Sequence, residues 1–182
     1  MQFNMKHTIW KTKSLRLVSF MTQYNQFEKN GWVDVSDHLS LMLYNDTGGE
    51  KFRITQLSMF SILNSFKTVV DWFYDESKND LFVINEKREL MFNNDYNDLR
   101  ILVSSDDNQH MEIRPCVDDS DIERGKEGVV IFINRAESVV VLERQEFESL
   151  YYVLSHFSFQ DELLYLLQSE VLAVKANNGM SK

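Results

Sequence analysis

The 182-residue sequence contains only one cysteine, one proline and six glycines. The single cysteine, Cys116, excludes a disulfide within the chain, so we expect a reduced, intracellular compartment. No apolar run approaches the ~20 residues that a membrane-spanning helix needs. The opening residues, MQFNMKHTIWKTK, show no apolar stretch followed by a small-residue cleavage site, so we expect no export signal. These absences predict a cytoplasmic globular protein.

Motifs of catalysis and of nucleotide binding are also missing. The four histidines have no close metal-ligand spacing, and neither HExxH, GxxxxGK[ST] nor GxGxxG occurs. The stretch DDSDIERGKEG has the acidity of a calcium loop, but Arg124 and Val130 occupy the positions that need glycine and glutamate. We therefore expect a protein that is not an enzyme and that has no cofactor and no metal site.

Charge is unevenly distributed along the chain. The net charge is −9, yet residues 1–29 carry five cations against Glu28 alone, a balance of +4, which leaves −13 for the remainder. Much of the negative charge lies between Asp95 and Glu123, where nine acids accompany only Arg100 and Arg114. This separation predicts a local basic surface that can hold a phosphate chain, with an ordinary solvated charged face as the alternative.

Two segments repeat one pattern, in which a strand, a turn and a second strand lead directly into an amphipathic helix. The first copy is LMLYNDTGGEKFRITQLSMFSILNSFKTVV (41–70), and the second is GVVIFINRAESVVVLERQEFESLYYVLSHF (128–157). An alignment with a turn two residues shorter in the second copy matches Phe60 with Phe147, Leu63 with Leu150 and Ile54 with Val141. It predicts that Phe60 and Phe147 are buried at equivalent positions. A chance match of apolar residues is the alternative.

Further strand patterns precede each hairpin, at 15–20 and 32–35 before the first and at 81–84, 89–92, 99–103 and 110–113 before the second. The sequence therefore predicts an α+β fold in a single domain, 1–182. Two antiparallel sheet-plus-helix halves, about 7–76 and 80–158, precede a C-terminal helix over 159–174 with Ser158 as its N-cap. The broad apolar surface of this last helix predicts a homo-oligomer, a dimer or a tetramer.

The segment VVIFINRAESVVVLERQEFESLYYVL (129–154) resembles the end of the domain found in the general positive transcription coactivator of eukaryotes and its phage relatives. In that domain a helix closes an antiparallel sheet. Two such units in one chain of this length are similar to the Whirly proteins, although the lysine-rich signature of the plant members is not present. The resemblance implies binding of single-stranded DNA in replication, recombination or transcription.

Single-stranded nucleic acid is held by sheets that offer aromatic faces to bases and cations to phosphates. The period of two places Lys51 and Arg53 on the face opposite Phe52 and Ile54, and it predicts that Lys11 and Lys13 share a face. No acid neutralises these N-terminal cations before Glu28 in the sequence. The candidate nucleic-acid-binding residues are Trp10, Lys11, Lys13, Arg16, Trp32, Tyr44, Lys51, Arg53, Arg100 and Arg114. Partial burial of the aromatics and an ordinary surface role for the cations are the alternatives.

A different function remains open from the sequence alone. The acidic stretch between Asp95 and Glu123 also suits an interaction module that docks a basic protein partner and binds no nucleic acid. Low alanine and proline content with many asparagines is typical of an AT-rich genome, such as that of a phage. A titration with single-stranded oligonucleotide separates the two functions.

Overall fold

A computed structural model of the chain describes residues 4–22, 39–75, 82–84, 90–92, 101–104, 109–117, 127–134 and 139–179. Within these ranges the protein has an α+β fold, as predicted, with ten strands and three helices. The strands are β1 (Asn4–Lys11), β2 (Leu15–Thr22), β3 (Leu39–Asn45), β4 (Lys51–Ile54), β5 (Phe82–Ile84), β6 (Leu90–Phe92), β7 (Ile101–Ser104), β8 (His110–Val117), β9 (Glu127–Ile133) and β10 (Val140–Glu143). The helices are α1 (Gln56–Phe73), α2 (Arg144–Ser155) and α3 (Phe159–Gly179).

The first sheet is an antiparallel meander with the strand order β1-β2-β3-β4. Alternation along each strand produces its two faces, since successive side chains point to opposite sides. One face carries fully buried residues, namely Leu15, Leu17, Leu41, Leu43, Phe52 and Ile54. The other face, which we call the outer face, carries the residues between them. The helices pack on the buried face.

The second sheet repeats this arrangement with the order β7-β8-β9-β10. The predicted strands at 81–84 and 89–92 do not join it among the described residues, because β5 and β6 pair with each other in a separate two-stranded sheet. In both halves the last hairpin leads without a loop into a helix. Thr55 caps α1 by accepting a hydrogen bond from the Ser58 amide at 3.2 Å, and the Ser58 hydroxyl accepts from the Thr55 amide at 2.9 Å.

The two hairpin-and-helix units match with an offset one residue larger than the predicted alignment. The N-caps Thr55 and Glu143 are 88 positions apart, which aligns Met59, and not Phe60, with Phe147. Phe147 is fully buried, whereas Phe60 is 75% exposed, so the prediction that both are buried is wrong. The error arose because several apolar residues flank each buried position, so a slip of one residue still aligns apolar with apolar.

The hairpins confirm the offset of 88. The predicted match of Ile54 with Val141 is wrong, because Ile54 is buried and Val141 is 60% exposed. The counterpart of Ile54 is the buried Leu142. Leu43 pairs with Phe52 and Ile131 pairs with Val140, so residues 44–51 and 132–139 form connections of equal length. The second turn is therefore not shorter than the first.

Both halves contribute to one hydrophobic core. The Phe147 ring of α2 lies 5.1 Å from the Phe66 ring and 6.3 Å from the Phe73 ring of α1, measured between ring centroids. Each helix also contacts the first strand of the other half's sheet, α1 against β7 and α2 against β1. The two sheets are thus joined through their helices, and buried residues from both form a single cluster.

Helix α3 begins at Phe159, as predicted, and extends to Gly179, five residues past the predicted end. The Ser158 hydroxyl accepts a hydrogen bond from the Asp161 amide at 3.2 Å, which confirms Ser158 as the cap. Leu166 packs with Met21 and Leu39 in a second, smaller apolar cluster. In the part of the chain that is described, no helix has both the length and the apolar character to cross a membrane.

Candidate nucleic-acid interface

Four of the predicted site residues form one continuous row across the first sheet. Lys11 of β1 pairs with Arg16 of β2, Arg16 pairs with Tyr44 of β3, and Tyr44 pairs with Lys51 of β4. Directly paired residues of antiparallel strands have Cβ atoms ~4.5–5.5 Å apart and project from the same face. Lys11, Arg16, Tyr44 and Lys51 therefore lie side by side on the outer face, and we call them the cationic row.

The cationic row is accessible to solvent. Lys11 and Lys51 are exposed, and Arg16 and Tyr44 are half-buried. Farther along the outer face of the two middle strands, β2 and β3, Val18 and Ser40 are buried. At the end that carries the cationic row, the same strands present the half-buried Arg16 and Tyr44. A ligand that reaches the middle of the sheet from this side meets the cationic row.

Arg16 lies over the aromatic ring of the row and is paired with an acid. Its guanidinium carbon is 5.3 Å from the Tyr44 ring centroid, within cation–π distance. Its Nε lies 2.8 Å from both carboxylate oxygens of Asp46. In the sequence, no acid lies near the N-terminal cations before Glu28. In the fold, however, pairing of β2 with β3 brings Asp46 to Arg16. Lys11 and Lys51 therefore supply the uncompensated charge of the row.

The turn that follows β3 holds Asp46 in place. The Asp46 amide donates to the Ser14 carbonyl at 2.8 Å, which ties this turn to the turn between β1 and β2. Next to it, the buried Asn45 accepts hydrogen bonds through Oδ1 from the amides of Thr47 at 3.0 Å and Gly48 at 3.2 Å. Gly49 completes the turn with φ of 78°, a conformation that glycine adopts without strain. The carboxylate of Asp46 is thus positioned by backbone contacts on both sides.

Three other predicted residues of the first half lie away from the row. Trp10 faces the helices, where its Nε1 donates to the Ser149 hydroxyl of α2 at 3.1 Å and its ring packs against the core. Lys13 is exposed in the turn between β1 and β2, so it does not share a strand face with Lys11 as predicted. Arg53 lies on the outer face, two residues from Lys51 in β4 and paired with Met42.

The second sheet holds an arginine over an aromatic ring as well. The guanidinium carbon of Arg114 is 4.9 Å from the Phe132 ring centroid, and its Nε is hydrogen-bonded to Glu112. Phe132 aligns with Tyr44 at the offset of 88 residues. Sequence reasoning missed Phe132, and an alignment on the two helix N-caps finds it. Trp32 and Arg100, the remaining predicted site residues, lie outside the described residues.

The outer face of the second sheet is otherwise less basic than that of the first. Val139 and Val141 stand at the positions of Lys51 and Arg53, and they are 43% and 60% exposed. Glu112, which pairs with Phe132, stands at the position of Arg16. Leu102 on β7 is 72% exposed. Among the described residues of the two sheets, only those of the first therefore form a row of cations.

Two cations of the helices, Lys67 and Arg144, are held by local partners. Lys67 of α1 donates to Asp71 at 2.5 Å, and this hydrogen bond raises the pKa of Lys67. A hydrogen bond with Tyr74 raises the pKa of Arg144, whose guanidinium also lies 4.4 Å from the Tyr74 ring centroid. These side chains are engaged within or between the helices and do not extend the cationic row.

A cluster of potentially catalytic residues joins α3 to the first sheet. The buried Ser19 hydroxyl donates to Glu162 Oε1 at 2.5 Å, and His7 Nδ1 lies 2.8 Å from the same oxygen. A serine nucleophile needs a hydrogen bond to its base, but here serine and histidine both bind the carboxylate. The cluster is an anchor for α3. Among the residues that the structure describes, no three histidine, cysteine or acidic side chains are grouped to hold a metal ion.

Comparison of the chain with protein-family models, with curated proteins and with solved structures finds no match.

Proposed function

We propose that this protein binds single-stranded DNA without catalysing a reaction, and that the outer face of the first sheet is its interface. The observation that carries the proposal is the cationic row, in which three cations and one aromatic ring cross all four strands. Cations hold phosphates, and a base stacked on an aromatic side chain contributes ~1–3 kcal/mol. The row presents both kinds of group on one surface.

The geometry of the row constrains the path of the strand. Neighbouring strands of a sheet are ~4.8 Å apart, so Lys11 and Lys51, three strands apart, are separated by roughly 14 Å. A DNA backbone that contacts both lysines has to run across the strands rather than along them. Its bases then meet Tyr44, which lies between the cations in the row.

The distribution of charge favours binding at this one surface. The whole chain carries −9, so most of its surface repels a polyanion. A local cluster of cations on such a protein attracts a phosphate chain and orients it. The proposal includes a role in replication, recombination or transcription and a cytoplasmic location, which the single cysteine favours.

The test is a fluorescence anisotropy titration of labelled oligo-dT, with duplex DNA of equal length as the comparison. We expect oligo-dT to bind more tightly than duplex. A single-stranded contact releases ~0.7 counterion per phosphate, so the variant K11A/K51A should reduce the slope of log affinity against log salt by about 1.4. The same variant should weaken binding of all sequences alike.

The matched control is K67A, which removes an exposed lysine from α1. It should leave affinity and salt slope unchanged. Failure of the wild-type protein to bind oligo-dT, or equal effects of K67A and K11A/K51A, would refute the proposal.

A second function, docking of another protein, is favoured by the second sheet. Its outer face carries the exposed Leu102, Val139 and Val141 where the first sheet carries cations. Apolar side chains grouped on an exposed sheet face are typical of interaction surfaces. Under this function alone, the protein would ignore DNA in the same titration.

A further inference from the structure

We propose that the Asp46 carboxylate competes with the DNA phosphate for Arg16 and so lowers the affinity of this surface for single-stranded DNA. This inference rests on the proposed function and assigns a role to a residue that sequence reasoning did not select. The Asp46 carboxylate, a small anion, lies 2.8 Å from Arg16 Nε through each of its two oxygens. A phosphate that binds Arg16 needs the same kind of contact.

The position of Asp46 allows this exchange. The Arg16 side chain is 41% exposed and that of Asp46 is 33% exposed, so solvent reaches both partners of the ion pair. Exposed ion pairs contribute only ~0–1 kcal/mol, which a phosphate can offset. The Asp46 backbone is held by the Ser14 carbonyl and by the turn, so only the side chain needs to move. Arg16 is positioned independently, over the Tyr44 ring.

The second sheet holds the same combination of carboxylate, guanidinium and aromatic ring. Arg114 lies over Phe132 and bonds Glu112, as Arg16 lies over Tyr44 and bonds Asp46. The aromatic positions are equivalent, but the arginines are not, since Glu112 occupies the position of Arg16. The carboxylate and the guanidinium therefore stand at different positions in the two halves. Duplication of one half would not by itself have placed them there.

The competition has a consequence for salt dependence. While Asp46 neutralises Arg16, the pair contributes no net charge toward the DNA. In D46N the arginine contributes its full charge, so the salt slope should steepen by about 0.7. Affinity for oligo-dT at low salt should rise about two- to fivefold, the range expected from releasing one exposed ion pair.

The experiment measures oligo-dT affinity at several salt concentrations for wild type, D46N, D71N and D46N/R16Q. The control D71N removes an equal charge and also separates an acid from its cation, Lys67, but on α1. We expect D71N to bind as wild type does, and the double variant to lose the gain of D46N because Asp46 acts through Arg16. Thermal melting of each variant verifies that the protein remains folded.

Two results would overturn the inference. If D46N binds more weakly than wild type, or equally, Asp46 is a support for Arg16 and not a competitor, while the proposed function stands. If neither wild type nor D46N binds oligo-dT, the proposed function fails and this inference fails with it.

Discussion

The role of a residue in this protein depends on the sheet face to which it points. Trp10 and Lys11 are neighbours in the sequence, yet the indole donates to Ser149 on the helix side and the lysine joins the cationic row. Arg16 lies in the same way between the buried Leu15 and Leu17. Residue type indicated the candidate side chains for nucleic-acid binding. Only those on the same sheet face lie together in the fold.

The corrected match between the two halves is testable at single residues. The Phe147 side chain is fully buried against Phe66 and Phe73, so F147A should destabilise the protein by about 3–5 kcal/mol. F60A, the matched control, removes an exposed ring and should change the free energy of unfolding by no more than about 0.5 kcal/mol. Urea denaturation measures both. Equal losses would restore the alignment of Phe60 with Phe147.

At the scale of elements, α3 is attached to the first sheet by polar and apolar contacts together. Glu162 accepts hydrogen bonds from β1 and β2 through His7 and Ser19, and Leu166 packs on Met21. The carboxylate therefore connects the helix to two adjacent strands. The cationic row lies on the other face of the same sheet, so α3 supports the strands that carry the row from behind.

E162A tests this attachment. Loss of the carboxylate leaves the buried Ser19 hydroxyl with only a 3.4 Å contact to the His7 carbonyl. The free energy of unfolding should therefore fall by about 1–3 kcal/mol. The control is D161A, which removes the neighbouring exposed acid in the same helical turn. It should lower the free energy of unfolding by less than about 1 kcal/mol. Chemical denaturation compares the two. An effect of E162A no larger than that of D161A would show that apolar packing alone holds α3.

At the scale of the whole molecule, apolar side chains are exposed on several surfaces of the described residues, among them the second sheet and α3. Leu102 and Val141 project from the outer face of the second sheet, and Leu164 and Tyr165 of α3 are each 50% exposed. The charged row and the apolar surfaces lie on different parts of the chain. A second copy that covers the apolar surfaces would leave the cationic row open.

We accordingly expect a dimer or a larger assembly in solution. Light scattering should give a mass of at least twice the 21.5 kDa of one chain. The variant L102K/V141K should reduce this mass if the second sheet makes the contact, because lysine in place of an apolar contact opposes association. T68K, at an exposed position on α1, is the control. A monomer of wild type at micromolar concentration would contradict the expectation.

Local sequence patterns determined the class of the fold and most of its elements. Alternation in LSLMLYN and KFRI marks strands, and Ser158 marks the start of α3, because strand period and capping are short-range properties. They also identified all four members of the cationic row as candidates. Tertiary structure decided the rest. Strand pairing brought Asp46 to Arg16 across 30 residues, aligned Tyr44 with its cations and placed Trp10 on the buried face beside Leu17. Helix packing left Phe60 exposed. These outcomes depend on register and on contacts between distant segments, which no local pattern encodes.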